Sequence, residues 1–248
     1  MLGLQDRSEP VIMNVSHFFK LDNKLINFTR PQASSFAKSV AGDFNPIHDE
    51  DHKRFCVPGD LLFSVFLSQQ GVYQEMKFEF SGMVGDSNQV FFTSEDNSAF
   101  VLKDENDKNF MRIQIAGDLT QEPEFISQLS EKYVQFSGQT FPHILVPLMK
   151  QEGVMINPAR PLVIYKNMEI TLDKLSGENI ELRLTKSILN KNGKKGEARL
   201  EFAILADGKE IGHGAKNLLL SGLREYDQSA LDEVVDAYDQ RKTTYLSC

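Results

Sequence analysis

Residues 61–70 are apolar on nearly every side until Ser68-Gln69-Gln70. A helix without a polar face has to be surrounded, so the fold must wrap this segment, and Gly71 is a natural C-terminal stop for it. The residues that follow can supply the wrapping. Met76, Phe78 and Phe80 alternate with Lys77, Glu79 and Ser81, and Met111, Ile113 and Ile115 alternate with Arg112 and Gln114. That is the period of half-buried strands. Residues 90–92 and 100–102 read as weaker strands between them.

Upstream, residues 1–14 read as a loosely attached tail, and residues 15–28 as a hairpin broken at Asp22-Asn23. Thr29 is a helix N-cap with Pro31 in the first turn. Ala33, Phe36, Ala37 and Val40 then share one helical face. The second half repeats this order. A helix is expected over 124–136 and a short apolar one over 144–149, stopped by Gly153. Four strands follow, marked by Met168, Ile170 and Leu172; by Ile180, Leu182 and Leu184; by Leu200, Phe202 and Ile204; and by residues 211–220. Asn192-Gly193 and Asp207-Gly208 are hairpin turns. An amphipathic helix after Ser229 carries Leu231, Val234, Val235 and Tyr238.

One unit thus occurs twice, which suggests duplication of a small domain. The expected division is a tail (1–14), a first repeat (15–120), a second repeat (121–223) and a C-terminal helix (224–248). Gly42 and Gly138 mark equivalent points, with Phe141-Pro142-His143 standing where Asn45-Pro46-Ile47-His48 stands in the first copy. Gln139 replaces Asp43 there, so only the first copy carries the carboxylate.

The net charge of the 248-residue chain is −8, with no long basic stripe. This disfavours nucleic-acid binding, which needs clustered Lys and Arg. Two cysteines, Cys56 and Cys248, argue against a secreted disulfide scaffold and for a reducing compartment. The start lacks a signal-peptide core, and the longest apolar stretch is too short to span a bilayer. The protein is expected to be cytoplasmic, with no membrane partner.

Gly42-Asp43-Phe44-Asn45-Pro46-Ile47-His48 is where chemistry is expected. Asn-Pro disfavours helix at Asn45 and bends the chain, which can turn Asp43 and His48 toward a shared point. A carboxylate beside an imidazole can do acid–base work near neutral pH. The same residues can also simply close a polar turn.

Ala41 to His48, followed by Asp51, resembles the signature of the MaoC-like dehydratases and (R)-specific enoyl-CoA hydratases. The whole chain also resembles an uncharacterised bacterial family of unknown function that shares residues 36–82. The resemblance implies an α+β hotdog fold, a long central helix wrapped by an antiparallel sheet, here doubled in one chain. It implies a lyase that hydrates or dehydrates an acyl thioester, with Asp43 and His48 holding a water and Asn45 orienting the turn. Phe44, Gly59, Asp60 and Leu61 would line the substrate. In the resembling enzymes a backbone N–H in a His-Gly step at the start of the buried helix meets the thioester oxygen. That step reads Gly59-Asp60 here. An N–H of Asp60 or Leu61 can serve, but an inward Asp60 carboxylate would repel a developing enolate. The alternatives are a non-catalytic acyl-thioester binder and a thioesterase with Asp43 activating water.

No cofactor is expected beyond coenzyme A or phosphopantetheine as part of an acyl-CoA or acyl-carrier substrate. The oligomeric expectation is a monomer acting as a pseudo-dimer, or a homodimer. Asp49, Glu50, Asp51 and His52 fit neither a zinc nor a calcium pattern, so no metal is expected. Lys53 and Arg54 either meet the substrate's phosphates or balance Asp49 to Asp51. Cys56 and the aromatics Tyr133, Phe136 and Phe141 read as core.

Overall fold

The computed structural model describes residues 13–247. Most of the expected tail therefore lies outside the described residues. Met13 and Asn14 are held: Ser127 Oγ donates to the Met13 carbonyl at 3.2 Å, and Asn14 caps a 3-10 turn, Val15–Phe18. A short hairpin follows, β1 (Lys20–Asp22) and β2 (Leu25–Asn27), turning at Asn23 with φ +55°. Thr29 and Gln32 cap α1 (Arg30–Ser35) reciprocally, each side chain accepting the other's backbone N–H. The helix then widens into a π-helical turn, Phe36–Ala41, and stops at Gly42, whose φ of +66° is left-handed geometry that glycine adopts freely.

The segment without a polar face is α2 (Gly59–Gln70), buried from Asp60 to Leu67. The strands after it are β3 (Val72–Phe80), β4 (Gln89–Asp96), β5 (Ala99–Asp104) and β6 (Asn109–Thr120). Phe63 and Phe66 meet Phe78 of β3 edge-on, at ring-centroid distances of 5.1 and 5.4 Å, and Phe66 also meets Phe92 of β4 and Phe100 of β5. Each such ring buries enough surface to dominate the local core.

The second half opens with α3 (Pro123–Gly138), a π-helical turn (Thr140–Ile144) and α4 (Leu145–Gln151). A two-residue strand β7 (Val154–Met155) leads to the long strands β8 (Val163–Leu172), β9 (Glu181–Asn192), β10 (Lys195–Ala206) and β11 (Lys209–Ser221). Tyr133 and Phe136 place α3 on Phe202 of β10, while Phe63 stacks on Tyr133 at 4.7 Å and so joins α2 to α3. The short α4 packs over the other end of these strands, in a second core with Leu189, Leu200, Leu218 and Leu220. The chain closes with β12 (Arg224–Glu225), paired to β7, and α5 (Gln228–Leu246). The cap of α5 is Asp227, whose carboxylate accepts the Ala230 N–H, rather than Ser229. A carboxylate at this position also suits the positive end of the helix.

Ten strands form one antiparallel sheet in the order β1-β2-β4-β5-β6-β3-β8-β11-β10-β9. Pairing of β3 with β8, Met76 opposite Ile170 and Phe78 opposite Met168, joins the two halves. The result is α+β, two helix-filled wraps of antiparallel sheet in one chain, as a double hotdog requires.

Gly138, expected to correspond to Gly42, lies against the backbone of Ala41, the residue before Gly42. A Cβ on Gly138 would sit 1.9 Å from the Ala41 carbonyl oxygen, a backbone clash that no rotamer relieves. Gly138→Ala is expected to cost about 3 kcal/mol, measured as the shift in urea unfolding. Wild-type stability in this variant would show that α3 and the turn before Asp43 are not in close contact.

Candidate active site

The left-handed Gly42 turns the chain out of its helix into Asp43, whose Oδ1 accepts the Asn45 N–H at 2.9 Å. Asn45 in turn caps the 3-10 turn Pro46–His48, its Oδ1 accepting the Ile47 N–H at 3.2 Å. The Asn45 side chain therefore builds the bend. His48 reaches back from the end of that turn. Its Nδ1 lies 2.7 Å from the Cys56 carbonyl oxygen. A carbonyl only accepts, so Nδ1 carries the proton and donates. Nε2 faces Asp43 Oδ2 at 3.8 Å. Both side chains are mostly shielded, His48 12 % and Asp43 28 % exposed.

Asp60, second residue of α2, is buried. Its Oδ2 accepts the Ser137 hydroxyl at 2.5 Å, and its Oδ1 has no hydrogen-bond partner among the described residues. Lys216 of β11, also buried, donates to Ser137 Oγ at 2.5 Å and to Thr140 Oγ1 at 3.3 Å, with its ammonium 4.4 Å from the Tyr165 ring centre. Tyr165 and Tyr133 share a short hydroxyl–hydroxyl bond. Burial pushes the Asp60 carboxyl up from its ordinary value, against the pull of Lys216 and the Ser137 hydrogen bond, and Asp43 adds to the rise. Burial likewise pulls Lys216 down, opposed by the charges of Asp60 and Asp43. The cluster thus joins electrostatically to the Asp43–His48 pair.

Of the backbone donors expected to meet the substrate, the Leu61 N–H is spent on the Pro58 carbonyl at 3.0 Å. Gly59 is pressed against Phe80 and Tyr165, 3.1 and 3.2 Å from a would-be Cβ. Phe44 is buried, edge-on to Tyr238 and Tyr245 of α5. The Tyr238 hydroxyl donates to the Gly42 carbonyl and accepts the Phe44 N–H, both at 3.2 Å, so α5 is fastened over the motif. Asp49 pairs with Lys38 at 2.9 Å and Arg241 at 3.7 Å; its partners come from the π-helical turn after α1 and from α5, not from Lys53 or Arg54. Among the described residues no three His, Cys, Asp or Glu side chains are grouped to hold a metal ion, and no helix is long and apolar enough to cross a membrane.

Sequence reasoning singled out Asp43, His48 and Asp60 but not Lys216 and Ser137, which the other half of the chain brings to Asp60. The available signal was a lysine on the inward row of β11, between Gly214 and Leu218, where the other residues are small or apolar.

Cys56, whose carbonyl holds His48, has its own thiol pushed up to about 12, chiefly by burial. The unfolded chain ionises this thiol near 9.0. Between those values the native state keeps a proton that the unfolded state loses, so stability falls as pH rises. The slope is about 1.4 kcal/mol per pH unit. Cys56→Ala is expected to remove that slope in unfolding curves recorded between pH 9 and 10, below the range where the shielded tyrosines, whose ordinary value is 10.0, add a slope of the same sign; an unchanged slope there would show that the thiol is not protected.

A family model described as "Protein of unknown function (DUF3581)" matches residues 13–229. No curated protein matches. Among solved structures, an acyl-CoA thioesterase II from Mycobacterium marinum is 10 % identical with a TM-score of 0.42, over 87 % of this chain and 99 % of that one. A MaoC-like dehydratase is 8 % identical with a TM-score of 0.40, over 82 % and 99 %. A conserved hypothetical protein of Mycobacterium tuberculosis with a double hotdog fold is 10 % identical with a TM-score of 0.40, over 78 % and 93 %. The chain, an α+β fold with one antiparallel sheet wrapped on its helices, belongs to the DUF3581 family of proteins of unknown function.

Proposed function

We propose that the protein is a hydratase or dehydratase of an acyl thioester, carried by coenzyme A or an acyl-carrier arm, with water held between Asp43 and His48. The observation that carries this reading is the pair of facing acceptors. In its neutral form, with the proton on Nδ1 donated to Cys56, His48 presents a lone pair at Nε2 to the Asp43 carboxylate, 3.8 Å away. Two acceptors at that spacing repel unless a donor lies between them, and a water about 2.8 Å from each donates one hydrogen to each. Its own lone pair is then free for the β-carbon of an enoyl thioester. As the C–O bond forms, one of the pair takes a water proton, and the C=C electron pair moves onto the thioester oxygen. The enolate collapses when a proton is returned to the α-carbon. Dehydration runs the same steps backward.

The test is the hydration of crotonyl-CoA, followed by loss of enoyl absorbance. Release of free coenzyme A instead of hydration would favour a thioesterase. Binding without product would leave a non-catalytic binder.

A further inference from the structure

The Asp60 carboxyl is a difficulty for this chemistry if it is an anion, because the negative charge develops on the thioester oxygen. Its surroundings answer the difficulty. Oδ2 is fixed by Ser137, and Ser137 by Lys216, so the carboxyl is held in one orientation from the other half of the chain. Oδ1 is buried with no partner among the described residues. A buried polar atom left unpaired is costly, and such atoms call for a reason.

We propose that Asp60, as a neutral carboxylic acid, donates the hydrogen on Oδ1 to the thioester carbonyl oxygen, with Ser137 and Lys216 as its positioning residues. The proton sits on the oxygen that lacks a partner, while Oδ2 keeps its bond from Ser137. Burial favours this form of the carboxyl. No bond to the proton breaks: the O–H shortens its contact as the C=C pair moves onto the thioester oxygen and lengthens it when the α-carbon is protonated. A donor that strengthens as charge develops is what accelerates a reaction. The inference rests on the hydratase reading for its rate effect, but its hydrogen bond can be observed without turnover.

The measurement is difference infrared spectroscopy of the full chain with butyryl-CoA labelled with ¹³C at the thioester carbonyl. This saturated thioester cannot be hydrated. Two signals are expected on binding: a lowered ligand carbonyl frequency, and a shift of a protonated-carboxyl band that is absent from Asp60→Asn. Asp60→Leu should return the ligand band to its free frequency and lower kcat/KM for crotonyl-CoA by about 10²–10³-fold. Asp60→Asn, whose amide still donates, should keep the lowered band and lose less than about tenfold. A carboxyl band that ignores the ligand, or a ligand band equally lowered in Asp60→Leu, overturns the proposal. Should Asp60→Leu fail to fold, the wild-type carboxyl band decides alone. Shifted bands without crotonyl-CoA hydration would remove the hydratase and keep the Asp60 contact. Hydration without shifted bands would do the reverse, and no binding of butyryl-CoA would overturn both.

Discussion

Asp43→Asn is expected to lower kcat/KM for crotonyl-CoA hydration by about 10³-fold while leaving the fold intact. The substitution is isosteric, and the amide oxygen can still accept the Asn45 N–H that closes the turn. What changes is the atom facing His48. If the amide nitrogen takes the place of Oδ2, it can donate to His48 Nε2, so two facing acceptors become a donor and an acceptor. They then attract one another across the 3.8 Å gap and no longer need a bridging water. The base that shares the water's proton is lost with the charge. A purely structural Asp43 predicts the opposite pattern, a lowered unfolding midpoint with unchanged turnover per folded molecule. Single-turnover kinetics with thermal melts of both proteins separates the two, and wild-type turnover in Asp43→Asn sinks the mechanism.

The elements of the fold were legible because each follows from a local rule. The buried α2 is a run without a polar face, the strands are period-two alternations, and the turns are Asn-Gly and Asp-Gly pairs. The bend at Asn45 followed from proline chemistry, and the side chain proved to cap it. The π-helical turns at Phe36–Ala41 and Thr140–Ile144 were not legible, since their sequences read as ordinary helix and loop. Nor was the buried charge cluster. Ser137 lies 77 residues from Asp60 and 79 from Lys216, and no local pattern relates positions that far apart. Only the β3–β8 seam brings the two halves into one sheet. Tyr238 was read as one apolar position on an amphipathic helix; its hydroxyl spans Gly42 and Phe44 because α5 folds back over the first half.

That seam makes the Asp60–Ser137–Lys216 cluster a stability test as well as a chemical one. Lys216→Met is expected to destabilise by about 2 kcal/mol, because it removes the buried donor on Ser137 and Thr140 and so frees the hydroxyl that Asp60 accepts. Asp60→Leu alone should cost a similar amount, since the buried Ser137 hydroxyl then loses its acceptor. The double variant should recover much of both losses: replacing a buried polar pair by apolar groups of similar size is often close to neutral, whereas removing one member is not. The coupling expected from the cycle is at least about 2 kcal/mol, read from urea unfolding of the four proteins at one pH. Strict additivity would mean that the two residues do not sense each other, and the positioning of Asp60 by Lys216 would fall with it. A large coupling in stability together with loss of crotonyl-CoA hydration in the double variant is the combined outcome that the composite site requires. The apolar pair can rebuild the core across the seam, but it offers no hydrogen to a thioester oxygen.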